Sequence, residues 1–211
     1  MANGKKKHIA AIILAAGKGS RIGQPKWQLR YEGRTFLEVI LAKLQECQCA
    51  AVMCVTAAEM AEDISLLIEK NRSKENFSAT PIILAINPNP VDGMLSSVYY
   101  GLQSLPNYDG YLIFPVDHPF VETKTVQLLI DIFSGNGKCF DSASRTVIIP
   151  SYNEAGGHPI IVSSHIFTDL SPVLLHLRFK DFLLQFNYQR HKIAVEDSGI
   201  LRNVNNLQDL K

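Results

Sequence analysis

A glycine-rich loop with three cationic side chains follows the first long apolar run of the chain. The run covers residues 9–14, and the loop behind it has glycines at positions 17, 19 and 23. Glycines allow backbone amides to converge on an anion, and Lys18, Arg21 and Lys26 add formal positive charge. This combination predicts a cradle for a polyphosphate. The alternative is an ordinary glycine-rich loop whose cations are solvated.

Two common phosphate-binding loops do not fit the spacing. The Walker pattern places Lys and then Ser or Thr directly after its last glycine, whereas Gly23 is followed by Gln24 and Pro25. The dinucleotide pattern needs glycine at its sixth position, which is Ile22 here. It also needs an acid after the second strand, and the predicted strand ends at Thr56 without one. The loop therefore predicts phosphate binding of another class.

An aspartate after a later apolar run is the candidate metal ligand. Asp117 directly follows the run 110–116, so its carboxylate would project from the carboxyl end of a strand. A turn or helix-capping aspartate before Pro119 is the alternative. His118 has no partner at the spacing of zinc ligands, so we expect it only to line the cleft.

Short apolar runs alternate with amphipathic stretches along the chain. Strands are predicted at 9–14, 50–56, 81–86, 110–116, 146–150, 159–162 and 192–196. Helices are predicted at 35–48, 56–72, 94–105 and 123–134. Capping boxes, Thr35 with Glu38 and Thr56 with Glu59, indicate where two of the helices begin.

The alternation of strands and helices predicts the fold class. Parallel pairing through crossover helices gives a three-layer α/β/α fold with a doubly wound, mostly parallel sheet, and ligands bind beyond the carboxyl ends of its strands. A hairpin-like turn is predicted at 153–157. A very apolar helix from 172 to 186 would pack in the core or form a dimer face. The length fits one domain, residues 1–211.

Composition excludes several partners. The chain has 211 residues, 21 Lys and Arg against 20 Asp and Glu, and a formal net charge of +1. Proteins that bind duplex nucleic acid or an anionic membrane surface usually carry a surplus of cations, so we expect neither partner. No apolar run approaches the roughly 20 residues that span a bilayer.

Two further features bear on cellular location. Three lysines at 5–7 and the apolar run 9–16 resemble a short secretory signal, but the run is short, rich in Ile and continuous with the glycine loop, so a buried strand is favoured. The four cysteines favour reduced thiols in the cytoplasm. Cys47 and Cys49 lack further ligands at zinc-finger spacing, which favours a helix end over half a metal site.

Four segments resemble the MobA-like nucleotidyltransferases, most closely the branch that includes molybdenum cofactor cytidylyltransferase. They are LAAGKGSRIGQPK at 14–26, NP followed by GMLSSVYYGL within 87–102, VDHPFV at 116–121 and GHP at 157–159. The resemblance implies transfer of a nucleotide from a nucleoside triphosphate to a phosphorylated acceptor, with release of pyrophosphate. The Ala15-Ala16-Gly17 form favours CTP over GTP, and molybdopterin is the leading acceptor.

The resemblance also implies the roles of individual residues. Arg21 and Lys26 would be catalytic, and Asp117 with Asn205 would hold Mg²⁺. Ser97 would meet the edge of the base, although a helix N-cap explains its position equally well. Gly157 and His158 would face the acceptor. The implied nucleotide-binding residues are Leu14, Ala15, Ala16, Gly17, Lys18, Gly19, Asn87, Gly93 and Ser97.

The chain departs from the family pattern in two places. Where the branch shows an Asp-x-Asp-Thr-Pro-x-Asp-Leu segment, this chain has Asn203 and Asn205 in place of the two acids. An asparagine carbonyl is still an oxygen ligand for Mg²⁺. Where a Gly-Asp-x-Gly-Ala-Arg-like segment is expected, residues 177–182 read LRFKDF. A sugar- or alcohol-phosphate nucleotidyltransferase and an inactive nucleotide-binding homologue are the alternatives. We expect the protein to be a monomer or a homodimer.

Overall fold

A computed structural model describes residues 7–20, 22–47, 49–72, 80–105, 108–135 and 144–210. Arg21 and Cys139 lie outside the described residues. The strands are β1 Ile9–Leu14, β2 Arg30–Tyr31, β3 Arg34–Thr35, β4 Ala51–Ala57, β5 Ile82–Asn87, β6 Gly110–Pro115, β7 Thr146–Tyr152, β8 Ala155–Gly156, β9 Ile160–Ser163 and β10 Gln189–Ala194. The α-helices are α1 Phe36–Glu46, α2 Ala61–Arg72, α3 Met94–Gln103, α4 Thr123–Ser134, α5 Ile166–Asp169 and α6 Phe179–Gln185.

The main sheet has the strand order β10, β7, β9, β6, β1, β4, β5, and β8 pairs with β7 outside this path. β1 is parallel to both β4 and β6, and β4 is parallel to β5. β9 runs antiparallel to β6 and β7, whereas β10 is parallel to β7. The chain therefore leaves β1 in one direction for β4 and β5 and returns on its other side as β6. This change of direction marks the crevice in which such sheets bind ligands.

Helices cover both faces of the sheet. Helices α1, α2 and α4 pack on one face, and α3, α5 and α6 pack on the other. Within β1, alternate side chains belong to different cores: Ile13 packs with the first group of helices and Ile12 with the second. A strand covered on both sides reads as an uninterrupted apolar run, as β1 does. The predicted three-layer α/β/α fold with a doubly wound, mostly parallel sheet is confirmed.

The capping box at the start of α1 is also confirmed, but the second box is wrong. The Thr35 hydroxyl accepts the amide of Glu38 at 3.2 Å, and the Glu38 carboxylate accepts the amide of Thr35 at 2.9 Å. Thr56 lies inside β4, because pairing with β5 keeps it extended. A turn of 3-10 helix at Ala58–Met60 follows, and α2 begins only at Ala61.

The apolar segment from 172 to 186 is not one helix. A 3-10 turn at Pro172–Leu174 comes first, and α6 begins later because Arg178 takes an extended backbone conformation as its N-cap. Phe182 and Leu183 are buried in the core, whereas Leu184 is 50% exposed. The core role predicted for this segment therefore holds for one face of α6 and for Leu175 before it.

The hairpin at 153–157 is confirmed, and the last strand is displaced from its prediction. Asn153 and Glu154 have φ values of 46° and 66°, which lets β8 fold back on β7. β10 spans Gln189–Ala194 rather than 192–196. Its polar first half is held by parallel pairing with β7, and apolar periodicity does not reveal such a stretch.

The interpretation of Cys47 as part of a helix end is confirmed. Cys47 is the C-cap of α1, and Cys47, Cys49 and Cys54 are buried and free. Burial raises the pKa of each thiol to about 12, so none of them is a reactive thiolate. In the described parts of the chain, no helix has both the length and the apolar character that crossing a membrane requires.

Candidate functional site

A cavity of about 390 Å³ opens beyond the carboxyl ends of β1 and β6, at the crevice where the chain direction changes. The glycine-rich loop follows β1, and the segment that begins with Asp117 follows β6. The sheet topology alone brings these two segments together. The residues that line the cavity are Leu14, Ala16, Gly17, Lys26, Pro90, Gly93, Met94, Ser97, Pro115, Val116, Asp117, His118, His158 and Asn203.

The glycine-rich loop is held in a compact turn next to this cavity. Gly19 has φ of +62°, and its carbonyl accepts the amides of Ile22 at 2.8 Å and Gly23 at 3.0 Å. A Cβ atom on Gly19 would lie 2.0 Å from the carbonyl oxygen of Gln24. The loop therefore needs glycine at this position both for its backbone conformation and for space.

The described cations of the loop point in different directions. Lys26 lies in the cleft with 20% of its side chain exposed. Lys18 is exposed and forms an ion pair with Glu59 at 2.9 Å, outside the cavity lining. The role of Lys18 in phosphate binding stays a prediction, as does that of Arg21.

Asp117 is charged and held by two partners. Its Oδ2 accepts from Lys26 Nζ at 2.7 Å, and its Oδ1 lies 2.9 Å from His118 Nδ1. Burial on its own raises the pKa of the Asp117 carboxyl, but the hydrogen bond and charge of His118, together with Lys26, outweigh it and lower the pKa to about 2. The carboxylate faces side chains rather than a helix amide, which favours the ligand interpretation over the capping alternative.

The two predicted metal ligands, Asp117 and Asn205, both contact the ammonium group of Lys26. Lys26 Nζ donates to Asp117 Oδ2 at 2.7 Å and to Asn205 Oδ1 at 2.9 Å. Two oxygen atoms from distant parts of the chain thus face the same point. Such a pair suits Mg²⁺, which takes few protein ligands and completes its shell with waters and phosphate oxygens. Among the described residues, no three His, Cys, Asp or Glu side chains form a metal-binding group.

The segment that carries the two asparagines is fastened to the Asp117 loop. The Val204 amide donates to the Asp117 carbonyl at 3.0 Å. The Arg202 guanidinium lies 3.9 Å from the ring centroid of Phe120. Asn203, which precedes Val204, lines the cavity, and Asn205, which follows it, accepts a hydrogen bond from Lys26. The backbone register of this segment therefore brings both asparagines to the site.

Two positioning residues were not found from the sequence. Asp197 is 3% exposed, and its carboxylate accepts from the amide of Glu122 at 2.9 Å, the hydroxyl of Thr125 at 2.8 Å and the amide of Gly199 at 2.8 Å. It ties the start of α4 to the turn before the asparagine segment. The turn composition Asp-Ser-Gly at 197–199 was the available signal.

Lys43 of α1 is the second positioning residue. Its Nζ donates to the carbonyl of Pro119, which belongs to the loop behind Asp117. Burial lowers the pKa of Lys43 to about 8, and the charge of Asp197 opposes this effect. A single lysine on a helix gives no sequence signal for such a contact, because its partner is a backbone atom 76 residues away.

Of the two predicted acceptor-side residues, His158 lines the cavity, whereas Gly157 does not. The His158 amide donates to the Ile200 carbonyl at 3.0 Å, and its ring lies 5.1 Å from that of His118, centroid to centroid. Burial, followed by the charge of His118, lowers the pKa of His158 to about 4, so the ring is neutral near pH 7. Its Nδ1 is buried and has no hydrogen-bond partner in the described chain. An acceptor group in the cavity would supply one.

The base-side residues form a buried polar network. Asn87 is the last residue of β5 and is fully buried, and its Nδ2 donates to the hydroxyls of Ser96 at 2.8 Å and Ser97 at 3.0 Å. Gly93, with φ of 96°, is the N-cap of α3, so the capping alternative for Ser97 is wrong. Ser97 lines the cavity, whereas Asn87 lies behind it.

Most of the chain matches one known protein family. Residues 11–190 match the family model described as the MobA-like NTP transferase domain. Similar curated proteins include probable molybdenum cofactor guanylyltransferases from Bacillus cytotoxicus, 28% identical over 121 residues, and Bacillus cereus, 30% identical over 122 residues. These alignments cover 57% and 58% of this chain and 55% of each relative. The chain thus aligns with little more than half the length of these relatives.

Solved structures share the fold over nearly the whole chain. A 4-diphosphocytidyl-2C-methyl-D-erythritol synthase from Anaerococcus prevotii superimposes with a TM-score of 0.72 at 15% identity, covering 97% of this chain and 93% of that one. A nucleotidyl transferase from Methanothermobacter gives a TM-score of 0.70 at 18% identity, covering 96% and 94%. At these identities the likeness concerns the fold alone.

Proposed function

The chain belongs to the family with a MobA-like NTP transferase domain, and we propose that it transfers a nucleotide from a nucleoside triphosphate to a phosphorylated small molecule. A phosphate oxygen of the acceptor forms a bond to the α-phosphorus, and the bond from that phosphorus to the β-phosphate oxygen breaks to release pyrophosphate. The observation that carries the proposal is the convergence of Lys26, Asp117 and Asn205 beside the glycine-rich loop.

The chain's own residues supply positioning and charge. Lys26 is partly buried in the cleft, where a point charge acts strongly on phosphate because water screens it less. Ala16 and Gly17 of the loop after β1 line the same cavity, which brings backbone of this loop to the proposed phosphate position. Bringing two anionic reactants together is the main barrier to this reaction, and fixed cations and amides lower it.

Mg²⁺ is the proposed cofactor, held by Asp117 and Asn205. When bound, it would neutralise charge on the phosphate oxygens. The oxygens of both residues contact the ammonium of Lys26 at 2.7 and 2.9 Å, so a cation is already favoured at that point. Asp117 is ionised across the physiological pH range, as a metal ligand must be.

CTP is the proposed nucleotide, on the basis of the Ala15-Ala16-Gly17 sequence. GTP is the competing donor, because the curated relatives are named guanylyltransferases. The proposed acceptor is molybdopterin, which agrees with the molybdenum cofactor in those names. The departure at 177–182 falls at the start of α6 and concerns the acceptor rather than the transfer step.

A nucleotide-binding protein without turnover is the second candidate function. Asn203 and Asn205 replace two carboxylates of the family pattern, which lowers the negative charge available to a metal. Incubation with Mg²⁺, α-labelled CTP or GTP, and a panel of phosphorylated acceptors separates the candidates. Transfer of label to an acceptor is the expected result. Tight nucleotide binding without transfer to any acceptor would support the second candidate.

Asn205→Asp is expected to tighten Mg²⁺ binding in the absence of nucleotide by about tenfold, because a carboxylate replaces a neutral oxygen ligand. Calorimetric titration with Mg²⁺ measures the change. Asn206→Asp is the matched control, since it adds the same charge one residue away, where the side chain is exposed and accepts the backbone amides of Gln208 and Asp209. Equal affinities for the two variants would remove Asn205 from the metal site.

A further inference from the structure

The buried amide of Asn87 has one orientation only. The backbone amide of Asn89 can only donate, and it donates to Asn87 Oδ1 at 2.9 Å. The Nδ2 group must therefore face the two serine hydroxyls, which lie 2.8 and 3.0 Å away. Both hydroxyl oxygens accept hydrogen bonds from the same amide, so their protons point elsewhere.

The hydroxyl protons of Ser96 and Ser97 differ in the hydrogen-bond acceptors available to them. Ser96 is 1% exposed and donates to the Gly93 carbonyl at 2.8 Å, so its bonding is complete within the protein. Ser97 lines the cavity, and the described residues provide no acceptor for its proton. A hydroxyl whose oxygen already accepts from Asn87 presents this proton to the cavity.

We infer that Asn87 is a positioning residue for nucleotide selection: it fixes the Ser97 hydroxyl as a hydrogen-bond donor toward the base. The base bound here then presents a carbonyl oxygen or an unprotonated ring nitrogen to the Ser97 proton, whereas a base that presents only an amino group leaves that proton without an acceptor and binds more weakly. This inference rests on the proposed nucleotide binding. It adds that Ser97 is the donor, and the base the acceptor, in the hydrogen bond between them.

The energetic reason is the cost of a mismatch in a buried site. A matched hydrogen bond contributes modestly, whereas a buried polar group left against a like group loses its hydration without compensation. A mismatch of hydrogen-bonding groups in a buried site therefore discriminates between bases more strongly than the loss of one hydrogen bond does. Ser97 is 6% exposed, so water does not compensate for a mismatch.

Asn87→Asp tests the inference by reversing the polarity. One carboxylate oxygen still accepts the Asn89 amide, and the other accepts the Ser97 proton, which turns the lone pairs of the hydroxyl toward the cavity. At pH 8, we expect Asn87→Asp to raise the Kd of the preferred nucleoside triphosphate at least about 30-fold, and Ser97→Ala to raise it about fivefold. Asn187→Asp, an exposed substitution in the turn between α6 and β10, controls for the added charge.

The double variant shows whether Asn87 acts through Ser97. With Ser97→Ala already present, Asn87→Asp is expected to raise the Kd by less than about threefold, because the hydroxyl of Ser96 does not line the cavity and no cavity-facing hydroxyl remains to be reoriented. An equal cost of Asn87→Asp with and without Ser97 would indicate a purely structural role and overturn the inference. If the wild-type protein binds no nucleoside triphosphate, the proposed function fails as well, which is a distinguishable result.

Nucleotide analogues provide a test that does not depend on the folding of Asn87→Asp. Each analogue replaces one acceptor atom of the preferred base by C–H. We expect one analogue to bind the wild-type protein about fivefold more weakly than the parent nucleotide and to bind Ser97→Ala as well as the parent does. If no single acceptor atom behaves in this way, Ser97 is not a donor to the base.

Discussion

Lys26→Ala is expected to lower the turnover number by roughly 10²- to 10³-fold, because it removes a preorganised charge from a partly desolvated site. The protein should still fold, since among the described residues the Lys26 ammonium bonds only to Asp117 and Asn205, and His118 continues to hold the Asp117 carboxylate. Steady-state kinetics at saturating nucleotide and a thermal melt measure the two effects.

Lys124→Ala serves as the control for this prediction. Lys124 is 72% exposed and pairs with Glu122 on the surface, so its loss should change turnover by less than about twofold. If Lys26→Ala and Lys124→Ala had the same activity, Lys26 would not act on phosphate. A large drop in melting temperature for Lys26→Ala would instead identify a structural role.

Gly157→Ala is expected to destabilise the fold by about 3 kcal/mol and to abolish transfer. A Cβ atom at this position would lie 2.3 Å from the carbonyl oxygen of Ile200, and this oxygen also accepts the amide of His158. Relief of the clash moves the backbone that leads to Asn203 and Asn205. Chemical denaturation measures the stability, and calorimetry with Mg²⁺ reports on the asparagine segment.

The neighbouring glycine offers a matched control. A Cβ atom on Gly156 would lie 3.1 Å from Ile149 Cγ2, a side-chain atom that can move aside. Gly156→Ala should therefore cost less than about 1 kcal/mol and retain activity. Equal stability of the two alanine variants would show that the close approach of Gly157 to Ile200 does not constrain the site.

The first four parallel strands and their helices could be predicted because their signals are local. β1 is an apolar run that ends in glycines, and Asp117 comes directly after another such run. Once both strands are placed in one parallel sheet, their carboxyl ends meet, and this brings the glycine-rich loop to Asp117. These inferences need only the pattern of the chain and a general rule of topology.

Other features depend on contacts that no local pattern contains. Thr56 resembles the start of a helix, but pairing with β5 keeps it in a strand. Lys18 resembles a phosphate ligand, yet its side chain pairs with Glu59. Asn87 was predicted to bind nucleotide, and its side-chain amide donates to the hydroxyls of Ser96 and Ser97. In each case a distant partner decides the contacts that the side chain makes.

The measurement that tests the central claim most directly is pyrophosphate release in the presence of Mg²⁺, nucleoside triphosphate and a molybdopterin-type phosphorylated acceptor. The proposed site predicts that the wild-type protein releases one pyrophosphate for each nucleotide transferred and that Asp117→Asn releases none above background. Nucleotide binding without release, with every acceptor in the panel, would contradict an enzymatic function. Undiminished release by Asp117→Asn would place the reaction elsewhere in the protein.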